Sequence, residues 1–186
     1  MASTASTFSA RQTTIRYPWL TGISNNQNAQ ILEDVEVYGA GYDTALSMNA
    51  AAAYGLETKT NASAVFYGNK VRLLRCKGAI HFATAGTSRI RRLWNRTELA
   101  TQGTQITIED AAVLELYDSI QRLDGTDSAT PYFGFSLNAT GATLRVVAGD
   151  LTCPSGLSVD PIGGDLFFVD QCFGGDRAEA VDSGKR

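Results

Sequence analysis

One histidine and three cysteines are the residues of this chain that are best suited to nucleophilic chemistry. His81 is the single histidine, which excludes a zinc site with several histidines and a two-histidine iron site. Cys76 stands five residues before it, so the two are candidates for a cysteine–histidine nucleophile pair, although no Gly-x-Ser-x-Gly elbow accompanies them. His81 alternates with Ile80 and Phe82 on a predicted strand. We therefore favour a histidine on the sheet face opposite these two apolar residues.

The segment from Val35 to Thr44, with the sequence Val-Glu-Val-Tyr-Gly-Ala-Gly-Tyr-Asp-Thr, resembles the start of a dinucleotide-binding fingerprint. Gly39 and Gly41 fit the first part of that pattern. Thr44 stands where a third small residue is needed, and the acidic residue that would bind a ribose is missing about 20 residues later. We interpret the segment as a glycine turn, and we expect no cofactor.

Carboxylates follow glycines near the C-terminal end, at Asp165 and Asp176, and two more stand at Asp160 and Asp170. Calcium prefers oxygen ligands on flexible loops, so these side chains are candidate calcium ligands. Their spacing is neither that of an EF-hand loop nor that of the nine-residue calcium repeat. Solvated aspartates at turns explain the pattern better, and we predict no metal site.

The strongest feature of the sequence is the segment 70–96, which has eight cationic side chains and no Asp or Glu in a chain of net charge −3. This basic band consists of Lys70, Arg72, Arg75, Lys77, Arg89, Arg91, Arg92 and Arg96. Residues 1–69 hold three cations and five acids, and residues 97–186 hold five cations and fourteen acids. Such segregation suits a head-to-tail contact between copies. A surface that binds a polyanion and a merely solvated sheet face are the alternatives.

The predicted contact joins arginines of the basic band to acids of another subunit. Arginine outnumbers lysine by twelve to four, and its planar guanidinium favours ordered two-point contacts with carboxylates. Trp94 adds a ring on which a nucleic acid base could stack. The candidate interface residues are Arg72, Arg75, Arg89, Arg91, Arg92, Arg96, Trp94, Glu109, Glu115 and Asp118.

Short runs rich in β-branched and aromatic residues predict strands, most of them separated by Gly, Asn or Asp. Turn-like residues at 67–70 and 76–79 predict a meander of three antiparallel strands over residues 64–84. The predicted fold class is therefore α+β, mainly antiparallel β, as a sandwich or barrel. No period of 20–50 residues recurs, so we expect no solenoid.

Two segments have helical character. Apolar residues recur at helical spacing at Val113, Leu116, Tyr117, Ile120 and Leu123. Thr107 and Asp110 resemble a capping box before this stripe, and Gly125 is a suitable stop, which together predict an amphipathic helix near 108–124. A shallower stripe predicts a second, weaker helix near 44–54.

The length of 186 residues fits one domain. Residues 1–16 are polar and rich in hydroxyl groups, which predicts an extended N-terminal arm before a single globular domain at 17–176 and a flexible charged tail at 177–186. No apolar segment has the length of a secretion signal or a membrane span. We expect cytoplasmic synthesis with reduced thiols, and leave open a disulfide between Cys153 and Cys172.

These observations favour a non-enzymatic structural subunit that assembles through head-to-tail charged contacts. In overall character the chain is small, hydroxyl- and glycine-rich and mainly β, and it is similar to structural subunits of bacteriophage virions such as head decoration, neck or tail proteins. The likeness rests on no single motif and therefore assigns no family and no residue role. It implies residence in a virion, with further copies or other virion proteins as partners and no membrane.

The alternative is a binding module for a polyanion or a carbohydrate. Such a module would use the basic band together with Trp94, or the aromatic residues Tyr132, Phe133 and Phe135. Nucleic acid is the less favoured partner because the chain as a whole is acidic and carries no recognised nucleic-acid motif.

Overall fold

The computed structural model describes residues 8–26, 28–45, 47, 49, 51–58, 64–83, 86–97, 104–109, 112–123, 133–137, 142–152, 157–161 and 165–173. The regular elements in these ranges are thirteen β-strands. They are β1 (Phe8–Arg16), β2 (Ile23–Asn25), β3 (Ala29–Tyr38), β4 (Tyr54–Thr58), β5 (Val65–Leu74), β6 (Gly78–Phe82), β7 (Thr87–Thr97), β8 (Thr104–Ile108), β9 (Val113–Leu123), β10 (Phe133–Leu137), β11 (Thr143–Thr152), β12 (Leu157–Pro161) and β13 (Asp165–Phe173).

The described strands pair in parallel throughout. The odd-numbered strands form a seven-stranded sheet in the order β1-β3-β5-β7-β9-β11-β13, and the even-numbered strands form a six-stranded sheet in the order β12-β10-β8-β6-β4-β2. The chain alternates between the two sheets, and successive coils add one strand to each, which makes the fold a β-solenoid. The predicted antiparallel sandwich or barrel is therefore wrong, and so is the expectation that no solenoid forms.

Coils of unequal length explain why the sequence shows no repeat period. Asp34, Lys70, Arg92 and Asp118 occupy equivalent positions in successive coils because the residues on both sides of them pair in register. These positions are nevertheless 36, 22 and 26 residues apart. The additional length lies in connections such as residues 39–53, between β3 and β4. A search for a fixed period cannot detect a solenoid of this kind.

A left-handed backbone conformation bends the long strands of the seven-stranded sheet. The residues at the bends are Gln12, Asp34, Lys70, Arg92 and Asp118, with φ angles of 46°, 53°, 55°, 53° and 49°. Residues other than glycine rarely adopt this conformation. In β3, residues 33 and 34 both face away from the interior, whereas residues 32 and 35 are buried. The extra outward residue acts like a β-bulge, since it shifts the alternation of faces by one position.

The interior between the sheets is mainly apolar, although it also contains buried polar side chains such as Asn95 and Gln105. Its fully buried side chains include Leu32, Val35, Val37, Leu56, Phe66, Val71, Leu73, Ile80, Ile90, Ile106, Leu114, Leu116 and Leu144. Equivalent positions hold similar residues from coil to coil, as in the register of Val35 with Val71 and of Val71 with Leu93. Each such side chain packs against the next coil, and burying an aliphatic side chain contributes about 1.5–3 kcal/mol. This stacking holds the coils together.

The predicted amphipathic helix near 108–124 is wrong, because residues 113–123 form strand β9. Leu114, Leu116 and Ser119 are buried, and Asp118 is the left-handed residue between the last two of them. The bend lengthens the spacing of inward residues from two to three at that point. The stripe that predicted the helix does not lie on one face of this strand, because Leu116 is buried whereas Ile120 is 37% exposed. Apolar residues on both faces of β9 therefore gave a helical spacing without a helix.

The predicted antiparallel meander is also wrong. Gly68 and Asn69, which were expected in a hairpin turn, lie inside the continuous strand β5. A Cβ atom on Gly68 would lie 3.0 Å from Cγ2 of Val71 and 3.1 Å from Cγ2 of Ile90, so this glycine is required by packing. The predicted helix near 44–54 is absent from the described residues of that segment, and Tyr54 begins β4.

Residues 8–16 of the predicted arm form β1, which pairs with β3. The predicted tail at 177–186 lies outside the described residues.

Candidate interface on the seven-stranded sheet

Most of the predicted interface residues lie on the seven-stranded sheet. Arg72 lies in β5; Arg89, Arg91, Arg92, Trp94 and Arg96 lie in β7; Glu115 and Asp118 lie in β9. Arg75 follows β5 directly, at a second left-handed position with φ 54°. Glu109 is the exception, since it follows β8 of the other sheet. Because β5, β7 and β9 are neighbours, the fold collects most of the predicted residues on one sheet.

Arg72 is paired within its own chain. Its Nη2 lies 3.2 Å from Oδ1 of Asp34, and its Nε lies 3.1 Å from Oε2 of Glu36. Glu36 is its register partner in β3. The side chain of Arg72 is 40% exposed, so solvent screening limits each ion pair to below about 1 kcal/mol. Arg72 is therefore a poor candidate for pairing with a second subunit.

Arg89 and Glu115 also pair within the chain. Nε of Arg89 donates to Oε2 of Glu115 at 2.5 Å, and the hydroxyl of Tyr117 donates to the same oxygen at 3.2 Å. The hydrogen bond that Arg89 donates to Glu115 raises the pKa of Arg89 above its ordinary value. The sequence suggested that Arg89 and Glu115 pair between two subunits, but the two residues already pair within one molecule.

Four exposed cations of the basic band lie on the same two strands as Trp94 or its register partner. Lys70, Arg91, Arg92 and Arg96 are exposed, and Trp94 is 42% exposed; these five residues form what we call the basic surface. The guanidinium of Arg91 lies over the ring of Tyr117, at 5.6 Å from its centre. Ile120, which is 37% exposed, is the register partner of Trp94 in β9. The surface therefore joins positive charge to exposed apolar side chains.

The bend at Arg92 creates this surface. Arg91 and Arg92 are consecutive in the chain and both exposed, while Ile90 and Leu93 on either side of them are buried. In a regular strand one of the two arginines would point inward. The left-handed conformation of Arg92 turns both of them to solvent.

A second polar cluster surrounds His81 on the six-stranded sheet. Nδ1 of His81 lies 3.5 Å from Oε1 of Glu57, and Nε2 lies 3.5 Å from Oε2 of Glu109. The ring of Tyr54 packs against the imidazole with a distance of 4.8 Å between the ring centres. Both nitrogen–oxygen distances are too long for good hydrogen bonds, and Nδ1 is buried without one. The cluster holds the histidine between two carboxylates.

Sequence reasoning placed neither of these carboxylates beside His81, although it named Glu109 as a candidate interface residue. His81 lies on the face opposite the buried residues Ile80 and Phe82, as their alternation predicts. Glu57 is 24 residues before His81 and Glu109 is 28 residues after it, so only the parallel register of the strands brings the three together.

Cys76 is unsuited to nucleophilic chemistry. It is completely buried, and its Sγ lies 3.7 Å from the carbonyl oxygen of Val37 and 3.6 Å from that of Leu74. Burial raises the pKa of the thiol to about 12, which is the opposite of what an activated cysteine needs. The arrangement does not fit a nucleophile pair with His81.

Gly39 and Gly41 form a corner after β3, with φ angles of 71° and 83°. A Cβ atom on Gly39 would lie 2.7 Å from Cδ1 of Tyr17, so the tyrosine ring packs directly on the glycine. The described residues after the corner are not helical, and no helix N-terminus is therefore present there to bind a phosphate. The geometry is not that of a dinucleotide site.

Within the described ranges, no group of three or more His, Cys, Asp or Glu side chains is arranged to hold a metal ion. Of the calcium candidates, Asp160 lies in β12, Asp165 and Asp170 lie in β13, and Asp176 falls outside the described residues. The same part of the chain contains no helix with the length and apolarity needed to cross a membrane. Comparisons with protein-family models, with curated proteins and with solved structures find no match for this chain.

Proposed function

We propose that the protein is a non-enzymatic structural subunit that assembles with other copies of itself through charged contacts. We further propose that it belongs to a virion, as a bacteriophage head decoration, neck or tail protein. The observation that carries the proposal of assembly is the basic surface, which is exposed on a chain whose net charge is −3. The virion assignment is supported by the overall character of the sequence.

The composition of the basic surface supports a protein contact. Aromatic and arginine side chains contribute most of the binding energy at protein interfaces, and Trp94 stands here among three arginines. In the part of the chain that the structure describes, Lys70, Arg91 and Arg92 form no ion pair. Their charge is therefore available to an acidic surface of a second copy, and the whole chain carries more acids than bases.

The geometry of the solenoid supports a head-to-tail arrangement. Parallel strands give the stack of coils a direction, so its two ends differ. A contact between unlike surfaces is heterologous and repeats in rings or open filaments. Structural assemblies are built from such contacts.

Light scattering of the purified chain at low and high salt tests the proposal. We expect a molar mass above the 19.9 kDa of one chain, rising with protein concentration and falling with salt. Arg92→Glu should weaken the association strongly. Arg145→Glu is a matched control, because Arg145 is exposed on the same sheet but outside the basic surface. A mass of 19.9 kDa at every salt and protein concentration would overturn self-assembly.

The second candidate function is the binding of a polyanion or a carbohydrate. The exposure of Trp94 among Arg91, Arg92 and Arg96 favours it, because a stacking ring beside cations suits a single nucleic-acid strand or a sulfated sugar. Binding of heparin or of single-stranded DNA to a monomer, lost in Arg92→Glu and retained in Arg145→Glu, would favour this function over assembly.

A further inference from the structure

The free side of β1 leaves the interior of the first coil partly uncovered. In the described residues, β1 pairs with β3 and has no strand on its other side. Ala10 and Ile15 face the core but are only partly buried. Their register partners in β3, Leu32 and Val37, are completely buried because coils cover them on both sides. An exposed strand edge above an apolar interior favours the addition of another strand.

The largest exposed apolar side chains follow β1 in the same coil. Trp19 is 51% exposed and Leu20 is 55% exposed, more than the other large hydrophobic residues whose side-chain exposure the structure describes. Asn49 donates a hydrogen bond to the carbonyl oxygen of Trp19 at 2.7 Å, so the backbone of this segment is held in place while its side chains face solvent. The end of the solenoid therefore presents both an open strand edge and an apolar rim.

We infer that a second copy of this chain adds its own β13 to the free edge of β1, so that the solenoid continues from one copy into the next. The inference rests on the proposed assembly function, and it assigns that function a second surface, distinct from the basic surface. β13 is the opposite end strand of the same seven-stranded sheet and runs parallel to it. A strand of the right direction is thus present at the other end of every molecule.

The charges of the two end strands are complementary. The sequence of β1, Phe-Ser-Ala-Arg-Gln-Thr-Thr-Ile-Arg, has two arginines and no acid. The sequence of β13, Asp-Leu-Phe-Phe-Val-Asp-Gln-Cys-Phe, has two aspartates and no cation. In the register of the sheet, Arg11 leads to Val169 and not to an aspartate, so the attraction is between the net charges of the two strands. Like net charges oppose the meeting of two copies of the same end, and the charges therefore favour end-to-end stacking of unlike ends.

The register of the sheet fixes which residues would meet. Followed from strand to strand, the position of Thr14 leads through Glu36, Arg72, Trp94, Ile120 and Asp150 to Cys172. Gln12 and Asp170 are not themselves register partners of a neighbouring strand, but the residues on both sides of each are, so the two occupy equivalent positions. If the next copy continues in the same register, its Thr14 stands opposite Cys172. Neighbouring strands lie about 4.8 Å apart. This separation is within the Cα distance that a disulfide spans, about 4.4–6.8 Å.

Thr14→Cys tests this arrangement in the full chain. Oxidation with copper phenanthroline should produce a ladder of dimers, trimers and larger covalent species on a non-reducing gel, which a reductant reverses. Thr14→Ser is the matched control, because it lacks the introduced thiol and keeps the three native cysteines. Adding Cys172→Ser to Thr14→Cys should abolish the ladder. Cross-linking that persists without Cys172 would overturn the inference.

The result also separates this inference from the proposed function. If Thr14→Cys gives no ladder although light scattering shows association, the end-to-end contact is wrong and assembly through another surface stands. If the chain is monomeric and gives no ladder, both fail. If Thr14→Cys forms disulfides with an unrelated protein added to the reaction but never with another copy of itself, the inference is likewise overturned.

A charge test at Gln12 uses a different measurement. Gln12 is exposed and would lie beside Asp170 of the neighbouring copy. Gln12→Glu should weaken the association constant about two- to five-fold, and Gln12→Lys should strengthen it by a similar factor, as expected for one cross-strand charge pair. Equal association constants for the two variants would contradict the predicted register.

Discussion

Nζ of Lys77 lies 2.7 Å from the carbonyl oxygen of Asn49 inside the protein. The same ammonium donates to the carbonyl oxygen of Ala51, also at 2.7 Å, and the residue is only 5% exposed. Burial lowers the pKa of Lys77. Both acceptors belong to the connection 39–53, so the lysine fixes this long segment to the coil that follows β5. Lys77 belongs to the basic band of the sequence but contributes no charge to the surface.

Removing this ammonium should loosen the connection. Lys77→Met keeps most of the side-chain length but removes the donor from the buried bond to Asn49 and from the partly buried bond to Ala51, and we expect the free energy of unfolding to fall by about 1–3 kcal/mol. Urea unfolding followed by circular dichroism measures the change. Lys70→Met is the control, because Lys70 is exposed and should change stability by less than about 0.5 kcal/mol. Equal stability of the two variants would show that Lys77 does not fix the connection.

Gly68 should tolerate no side chain. Gly68→Ala would place a Cβ atom 3.0 Å from Cγ2 of Val71, and we expect a loss of about 1–3 kcal/mol from overpacking. Val71→Ala removes that methyl group, so the two substitutions together should cost less than the sum of their separate costs. A double-mutant cycle from urea unfolding measures this coupling. Strict additivity would mean that Gly68 does not face Val71.

The Cys76 thiol predicts a specific dependence of stability on pH. Burial raises its pKa from 9.0 to about 12. Because the folded pKa is the higher one, its contribution to stability is fully present below pH 9 and is lost as the pH rises towards 12. Lys77 is common to the wild type and to Cys76→Ala, so its contribution cancels in the difference between these two proteins. The pKa of Tyr42 is raised by burial and by the charge of Cys76, so the difference reports the thiol together with its effect on Tyr42.

We expect that difference in unfolding free energy to be constant below pH 9 and to narrow above it, by at most about 1.4 kcal/mol per pH unit. Urea unfolding of both proteins at several pH values gives the difference. Rapid alkylation of Cys76 in the native protein at pH 8 would contradict the burial on which this prediction depends. Alkylation after unfolding is the positive control.

The sequence predicted strand content well but could not predict how the strands pair. The extended runs are real, and the alternation of Ile80, His81 and Phe82 gave the correct face for the histidine. The bends are the reason that the sequence pattern did not predict the faces of the long strands. They fall on Asp34, Lys70 and Arg92, which share no residue type, so no composition signal marks them. Each bend shifts the alternation, and in β9 apolar residues on both faces of the strand gave a false helical stripe.

The number of cations in the basic band was counted correctly, but these cations do not all lie on one exposed surface. Lys77 turned out to be buried, and Arg72 and Arg89 are paired with carboxylates of neighbouring strands. Lys70 and Arg92 remained exposed as neighbours, although they are 22 residues apart in the sequence. The register between strands decides which side chains become neighbours in this way. In a solenoid, that register depends on the length of each connection between strands, which the residue types do not reveal.

The parallel register of β5 and β7 is the central claim, because the basic surface and the end-to-end contact both follow from it. Asn69 and Arg91 are register partners that face outward. In a Cys153→Ser, Cys172→Ser background, Asn69→Cys with Arg91→Cys should therefore form an intramolecular disulfide at a Cα separation of about 4.8 Å. Asn69→Cys with Trp94→Cys, three residues out of register, should form little or none. Cross-linking of the first pair and not the second is the predicted result, and failure of the first pair or equal yields from both would contradict the account.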